Sequence, residues 1–143
     1  MNKIEHIGIA VKNIAAASSI YEKLLGVKSY KTEVVESENV VTEFFQTGES
    51  KIELLEASSA DSAIYKFIEK KGEGIHHIAF EVNDILAEMS RLKNEGFILL
   101  NEAPKIGADN ELVCFVHPKS ANGVLIELCQ SIPELSRGKS TEI

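Results

Sequence analysis

Two signatures occur twice in this chain, and each copy carries one histidine and one glutamate. The first copy reads Ile4-Glu5-His6-Ile7-Gly8-Ile9-Ala10-Val11 and later Lys51-Ile52-Glu53-Leu54-Leu55. The second reads Ile75-His76-His77-Ile78-Ala79-Phe80-Glu81-Val82 and later Leu125-Ile126-Glu127-Leu128. A duplication constrains the whole architecture, because each copy is one supersecondary unit that packs on its twin. If the copies pair about a pseudo-twofold axis, His6, Glu53, His77 and Glu127 converge on one point. Two imidazoles and two carboxylates form a plausible binding set for a divalent metal.

The length of 143 residues suggests a single domain, and 44% hydrophobic residues suffice for a real core. A formal net charge of -7 argues against nucleic acid as a partner, since phosphate binding needs clustered Lys and Arg. The N-terminal residues carry no long apolar run, and no stretch has the apolar length to cross a bilayer. These features predict a cytoplasmic setting and no membrane partner. Cys114 and Cys129 sit in apolar runs without zinc-type spacing and are expected to be buried, reduced thiols.

The residue pattern predicts an α+β fold. Strands are expected at 4–11, 28–36, 39–47 and 50–57, with a helix over 14–25 capped by Asn13 and closed by Gly26. Asp61 is placed to cap a helix ending at Gly72. The plan then restarts: a strand at 75–82, a helix capped by Asn83 or Asp84, and strands at 97–101, 111–117 and 123–129. Each copy is therefore βαβββ. Residues 1–130 form one domain, with module one at 1–60, a connecting helix at 61–72, module two at 73–130, and a flexible tail at 131–143.

A carboxylate inside an apolar run is costly to bury without a partner. Glu53 and Glu127 both stand in such runs, each after a histidine strand, and this repetition favours a shared site over two solvent-facing side chains. Strand alternation allows only one of His76 and His77 to face a given site, and the repeat aligns His77 with His6. Four nitrogen and oxygen donors leave two positions of a six-coordinate ion open, which suits Co²⁺, Ni²⁺, Mn²⁺ or Zn²⁺ in a catalytic role. Such an ion stabilises the enolate formed when a proton is lost beside a carbonyl, and inversion at carbon needs an acid/base group on each face.

In this order, these residues resemble the vicinal oxygen chelate superfamily, which includes glyoxalase I and extradiol dioxygenases, and within it the methylmalonyl-CoA epimerase family. The similarity covers about residues 3–130. Its most specific segments are Gly74 to Val82 and His117-Pro118-Lys119-Ser120 followed by Gly123-Val124-Leu125-Ile126-Glu127-Leu128. The resemblance implies two βαβββ modules paired into one open-barrel metal site, with His6, Glu53, His77 and Glu127 as ligands. It implies epimerisation of methylmalonyl-CoA at C2 by 1,1-proton transfer through a metal-stabilised enolate, with Glu127 as a catalytic base. A small acyl-CoA substrate and a homodimer follow from the same resemblance.

Two departures stand out. Some relatives place a second base glutamate where this chain has Thr42, with glutamine at the position of Glu53. A two-residue turn at Gly48-Glu49 would set Phe44 opposite Glu53, so Thr42 would share that face and Glu43 would turn away. Glu53 is therefore favoured as the second acid/base, and Thr42 as a substrate contact, with the Thr42 site and Glu43 left as alternatives for the base. The other departure is Ala108-Asp109-Asn110-Glu111, where relatives are more glycine-rich and often basic; Lys119 is then the expected cation near an anionic substrate. Two other functions are kept open: a glyoxalase I-type lactoylglutathione lyase, and a non-catalytic binding protein of the bleomycin-resistance type.

Overall fold

The computed structural model describes residues 1–133. Its strands join one eight-stranded sheet, and the order of that sheet follows from the duplication. The first half contributes β1 (Lys3–Ala10), α1 (Ile14–Leu25), β2 (Lys31–Val35), β3 (Val40–Thr47) and β4 (Ser50–Ala57). Helix α2 (Ala63–Lys71) leads to the second half: β5 (Gly74–Glu81), α3 (Ile85–Asn94), β6 (Lys105–Ile106), β7 (Glu111–Val116) and β8 (Ile126–Ser131). The sheet order is β2-β3-β4-β1-β5-β8-β7-β6. Strands β1 and β5 run antiparallel at its centre, and each is parallel to the last strand of its own half, β4 or β8.

Local chemistry sets the helix ends. The Asn13 side chain accepts from the Ala16 amide at 2.9 Å, and Gly26 closes α1 in a left-handed conformation at φ 72°. Asp84 accepts from Ala87 at 3.1 Å to start α3. Helix α2 is capped by Ser62, not Asp61: the Ser62 hydroxyl is buried and accepts from the Ile64 amide at 3.1 Å.

Helices α1 and α3 cover one face of the sheet. Ala17 of α1 packs with Val11, Phe45 and Leu54; Ile85, Met89 and Leu92 of α3 pack with Val82, Cys114, Val116 and Leu128. The alternate residues of the same strands face the other way, toward a cavity. Helix α2 lies at the edge of that cavity, with Ile64 packed on Ala10, Val40 and Leu55.

The halves differ where a strand was expected at 97–101. Only an isolated bridge joins Leu99 to Val116. The Asn101 side-chain oxygen takes the Phe115 amide at 2.9 Å, and this replaces the backbone carbonyl that would continue a ladder. The sixth strand instead forms at Lys105–Ile106. Strand β8 runs to Ser131, the first residue of the tail expected at 131–143, and residues 134–143 lie outside the described residues. No described helix is long and apolar enough to cross a membrane.

Candidate active site

The β3–β4 hairpin turns at Gly48 and Glu49 and pairs Phe44 with Glu53, the register expected from the sequence. That register aims Glu53 and Thr42 into the cavity; both are at most 4% exposed. Glu43 turns away and accepts from the hydroxyls of Ser29 and Thr32. On the other half, Glu127 enters the cavity from β8, beside Val113 and Phe115 from β7.

Strands β1 and β5 bring the two histidines together, with the rings nearly perpendicular. His6 Nε2 lies 3.0 Å from His77 Nε2. Glu127 reaches both, with Oε2 3.5 Å from His6 Nε2 and Oε1 3.4 Å from His77 Nε2. Donor atoms of His6, His77 and Glu127 all lie within 4.8 Å of one another. Glu53 is beside them but on the other edge of the His6 ring, with Oε2 3.0 Å from Nδ1. The structure thus gathers three of the four expected residues at one point and holds the fourth one imidazole width away.

His76 also lines the cavity, contrary to simple strand alternation. The β1–β5 ladder explains this. His6 pairs with Ala79 and Ile4 with Phe80, so Glu5 is an extra residue; Gly8 pairs with His77 and Ile9 with Ile75, so His76 is another. Each is a β-bulge, which re-aims a side chain. Glu5 Oε1 approaches His6 Nδ1 to 2.7 Å, and His76 Nδ1 approaches His77 Nδ1 to 3.0 Å. The one mark of Glu5 in the sequence is its place before His6, the twin of His76 before His77.

The cavity spans about 750 Å³ including its open mouth. Its walls are rich in carboxylates and poor in cations, and the proton affinities follow. Burial pushes Glu53 up to about 8 and Glu127 up to about 7; neighbouring carboxylates add to the rise and His6 opposes it. Burial opposes a charged His6, but Glu53, Glu5 and Glu127 surround the ring and raise it to about 9. Burial and the charge of His6 push His77 well below its ordinary value. A pocket that lifts its own carboxylates lacks positive charge, and its donor set of imidazole nitrogens and carboxylate oxygens fits a divalent cation.

The remaining charges form a bridge between the halves. Lys51 Nζ lies 2.9 Å from Glu5 Oε2 and 2.7 Å from Asp109 Oδ2, and Lys31 Nζ lies 2.8 Å from Asp109 Oδ1. Burial favours a neutral Asp109, but hydrogen bonds from Lys31 and Lys51 outweigh it and hold the carboxyl at about 2. Glu111 is buried, with Oε2 lacking a hydrogen-bond partner. Lys105 is the lysine on the cavity wall, while Lys119 is exposed on the turn after β7, outside the lining. His117 caps that turn by accepting from the Lys119 amide at 3.0 Å. Cys114 and Cys129 are buried and free. Cys129 lies near Glu5 and His6, and burial together with the charges of Glu111 and Glu127 pushes its thiol up.

A curled sheet built from two βαβββ halves, with its polar residues gathered on the concave face, defines a class. Residues 5–115 match the Glyoxalase/Bleomycin resistance protein/Dioxygenase superfamily. The ethylmalonyl-CoA/methylmalonyl-CoA epimerase of Cereibacter sphaeroides is 40% identical over 132 residues, covering 91% of this chain and 98% of that protein. The crystal structure of methylmalonyl-CoA epimerase from Mycobacterium tuberculosis superposes with a TM-score of 0.90 at 32% identity, covering 94% of this chain and 91% of that one. The Streptomyces coelicolor methylmalonyl-CoA epimerase (Q60A), in complex with 2-nitronate-propionyl-CoA, gives a TM-score of 0.87 at 34% identity over 93% of this chain and 99% of that one. The chain belongs to the glyoxalase superfamily and, within it, to the family of the methylmalonyl-CoA epimerases.

Proposed function

We propose that this chain is a metal-dependent epimerase that interconverts the two C2 epimers of methylmalonyl-CoA by 1,1-proton transfer. One observation carries the reading: two buried carboxylates flank the His6 ring, Glu53 at Nδ1 and Glu127 at Nε2, and burial raises the proton affinity of both. A general acid and base work best when their pKa values lie near the operating pH.

Glu127 takes the C2 proton from one face of the substrate. The C–H electron pair passes into the adjacent thioester carbonyl. Glu53, carrying a proton, returns one to the opposite face, and a new C–H bond forms with inverted configuration. The two carboxyls have then exchanged protonation states, and proton exchange with water or turnover in the reverse direction resets them. His6, Glu53, His77 and Glu127 would hold a divalent cation, Co²⁺, Ni²⁺, Mn²⁺ or Zn²⁺, and when bound it supplies positive charge against the electron density gained by the carbonyl oxygen.

Thr42 contacts the acyl group from the cavity floor. Lys119 contacts the part of an acyl-CoA that extends beyond the cavity. The neighbour that carries a propionyl-CoA analogue supports a CoA thioester as the ligand. A homodimer and a cytoplasmic location complete the proposal, on the family resemblance. Exchange of the substrate C2 hydrogen in deuterated water, with and without chelator, tests it. We expect label in both epimers and none after chelation. Turnover of a glutathione–methylglyoxal adduct without C2 exchange of methylmalonyl-CoA would replace the epimerase with a glyoxalase-type isomerase.

A further inference from the structure

Adjacent residues of a regular strand face opposite sides of the sheet. At two positions of the central ladder this rule fails, and the two positions are twins in the duplication: Glu5 before His6, and His76 before His77. Both displaced side chains line the cavity and end on the same atom of the histidine that follows. Glu5 Oε1 meets His6 Nδ1 at 2.7 Å, and His76 Nδ1 meets His77 Nδ1 at 3.0 Å. The free nitrogens, both Nε2, then face each other at 3.0 Å. We propose that Glu5 and His76 are positioning residues, each turned onto the cavity face by its bulge, holding Nδ1 of the next histidine and so aiming Nε2 at the centre of the site. The inference rests on the reading of His6 and His77 as cation ligands.

The hydrogen bonding has one consistent solution. A ligating Nε2 needs its lone pair free, so each ring must carry its proton on Nδ1. Glu5 accepts that proton from His6. His76 Nδ1 accepts it from His77, which leaves the His76 proton on its own Nε2. Each supporting residue is itself held: Glu5 Oε2 lies 2.9 Å from Lys51 Nζ, and the His76 ring stands edge-on to Phe67, with centroids 5.0 Å apart. Glu5 has a further task. His6 Nδ1 also touches Glu53 at 3.0 Å, and a Glu53 that moves to carry a proton would release the ring. Glu5 keeps the ring in place when Glu53 leaves.

The test uses the metal-free full chain and its variants Glu5→Ala, Glu5→Gln, His76→Ala and His76→Gln. Three quantities are read: Co²⁺ affinity by calorimetry, melting temperature without metal, and the His77 tautomer from long-range ¹H–¹⁵N correlations. Loss of a group that orients a metal-bound histidine typically weakens metal affinity about 10–100-fold. We expect that loss in both alanine variants, out of proportion to any change in melting temperature. The glutamine variants keep an oxygen acceptor and should recover most of it; they also serve if an alanine variant does not fold. His77 should be a single Nδ1–H tautomer in the parent and a mixture in His76→Ala. Unchanged affinity together with an unchanged tautomer in folded variants overturns the proposal, as does affinity loss that follows melting temperature without rescue by glutamine. If the parent chain itself binds no Co²⁺, the cation reading fails, and the tautomer measurement alone decides positioning.

Discussion

Gly8 lies directly across the ladder from His77, and the imidazole occupies the space where a side chain on residue 8 would begin. Its twin by the duplication is Ala79, which lies across from His6. The glycine is therefore a steric requirement of one histidine and not a turn residue. Gly8→Ala should displace His77, weaken Co²⁺ binding at least about 10-fold and destabilise the chain by about 1–3 kcal/mol, the usual cost of overpacking. Calorimetric titration and urea unfolding read the two effects. Unchanged affinity would show that the ring has another place to go.

Glu53→Gln and Glu127→Gln should each abolish epimerisation while leaving half of the proton chemistry. Each variant keeps one acid/base group, so it should still exchange the C2 hydrogen of one epimer with solvent. Loss of a general acid or base typically costs about 10²–10⁴-fold in rate. Glu53→Gln that binds metal and epimerises normally would move the second proton carrier elsewhere, with Glu43 disfavoured because it faces Ser29 and Thr32.

Adding Co²⁺ or Mn²⁺ should raise the melting temperature. Ligand at about 100 times its dissociation constant stabilises by about 2.7 kcal/mol, which corresponds to several degrees for a chain of this size. Glu127→Ala should remove the shift, because Glu127 touches both Nε2 atoms. A full shift in that variant would place the cation away from the paired histidines.

Asp109→Asn should destabilise the protein above about pH 4 and matter less in acid. The carboxyl titrates at about 2 in the folded chain, below its ordinary unfolded value. The unfolded state therefore takes up the proton first as pH falls, and the advantage of the charged form, complete above the unfolded value, is lost on the way down to about 2. Removing the charge takes away the partner that Lys31 and Lys51 share, but Lys31 keeps Glu33, Lys51 keeps Glu5 and solvent screens the pairs, so the cost is about 1 kcal/mol. Urea unfolding of parent and variant between pH 2 and 7 measures the difference. A gap that stays constant to pH 2 would show that this carboxylate contributes nothing through its charge.

The duplication made most of the site legible. His6, His77, Glu53 and Glu127 stand at repeated places, and the β3–β4 register could be counted from the turn. Two kinds of feature were hidden. A bulge leaves no compositional mark, so strand alternation alone turns His76 away from the site and gives Glu5 no place in it. Long-range charge pairing is equally silent: Asp109 comes from the second half to meet Lys31 and Lys51 of the first, and no local pattern announces it. The strand expected at 97–101 failed for a third reason, since one asparagine side chain took the amide that the ladder needed.

The two bulged positions hold different residues, an anion at one and a neutral ring at the other. Two identical subunits would have to treat their histidines alike; a single fused chain is free to make them unequal. Here the inequality adds to the pull of Glu53 on His6 and to the burial of His77, so a proton entering the space between the imidazoles has a preferred owner, His6. Symmetry builds the chamber, and the unequal twins beside the two histidines add to its polarity.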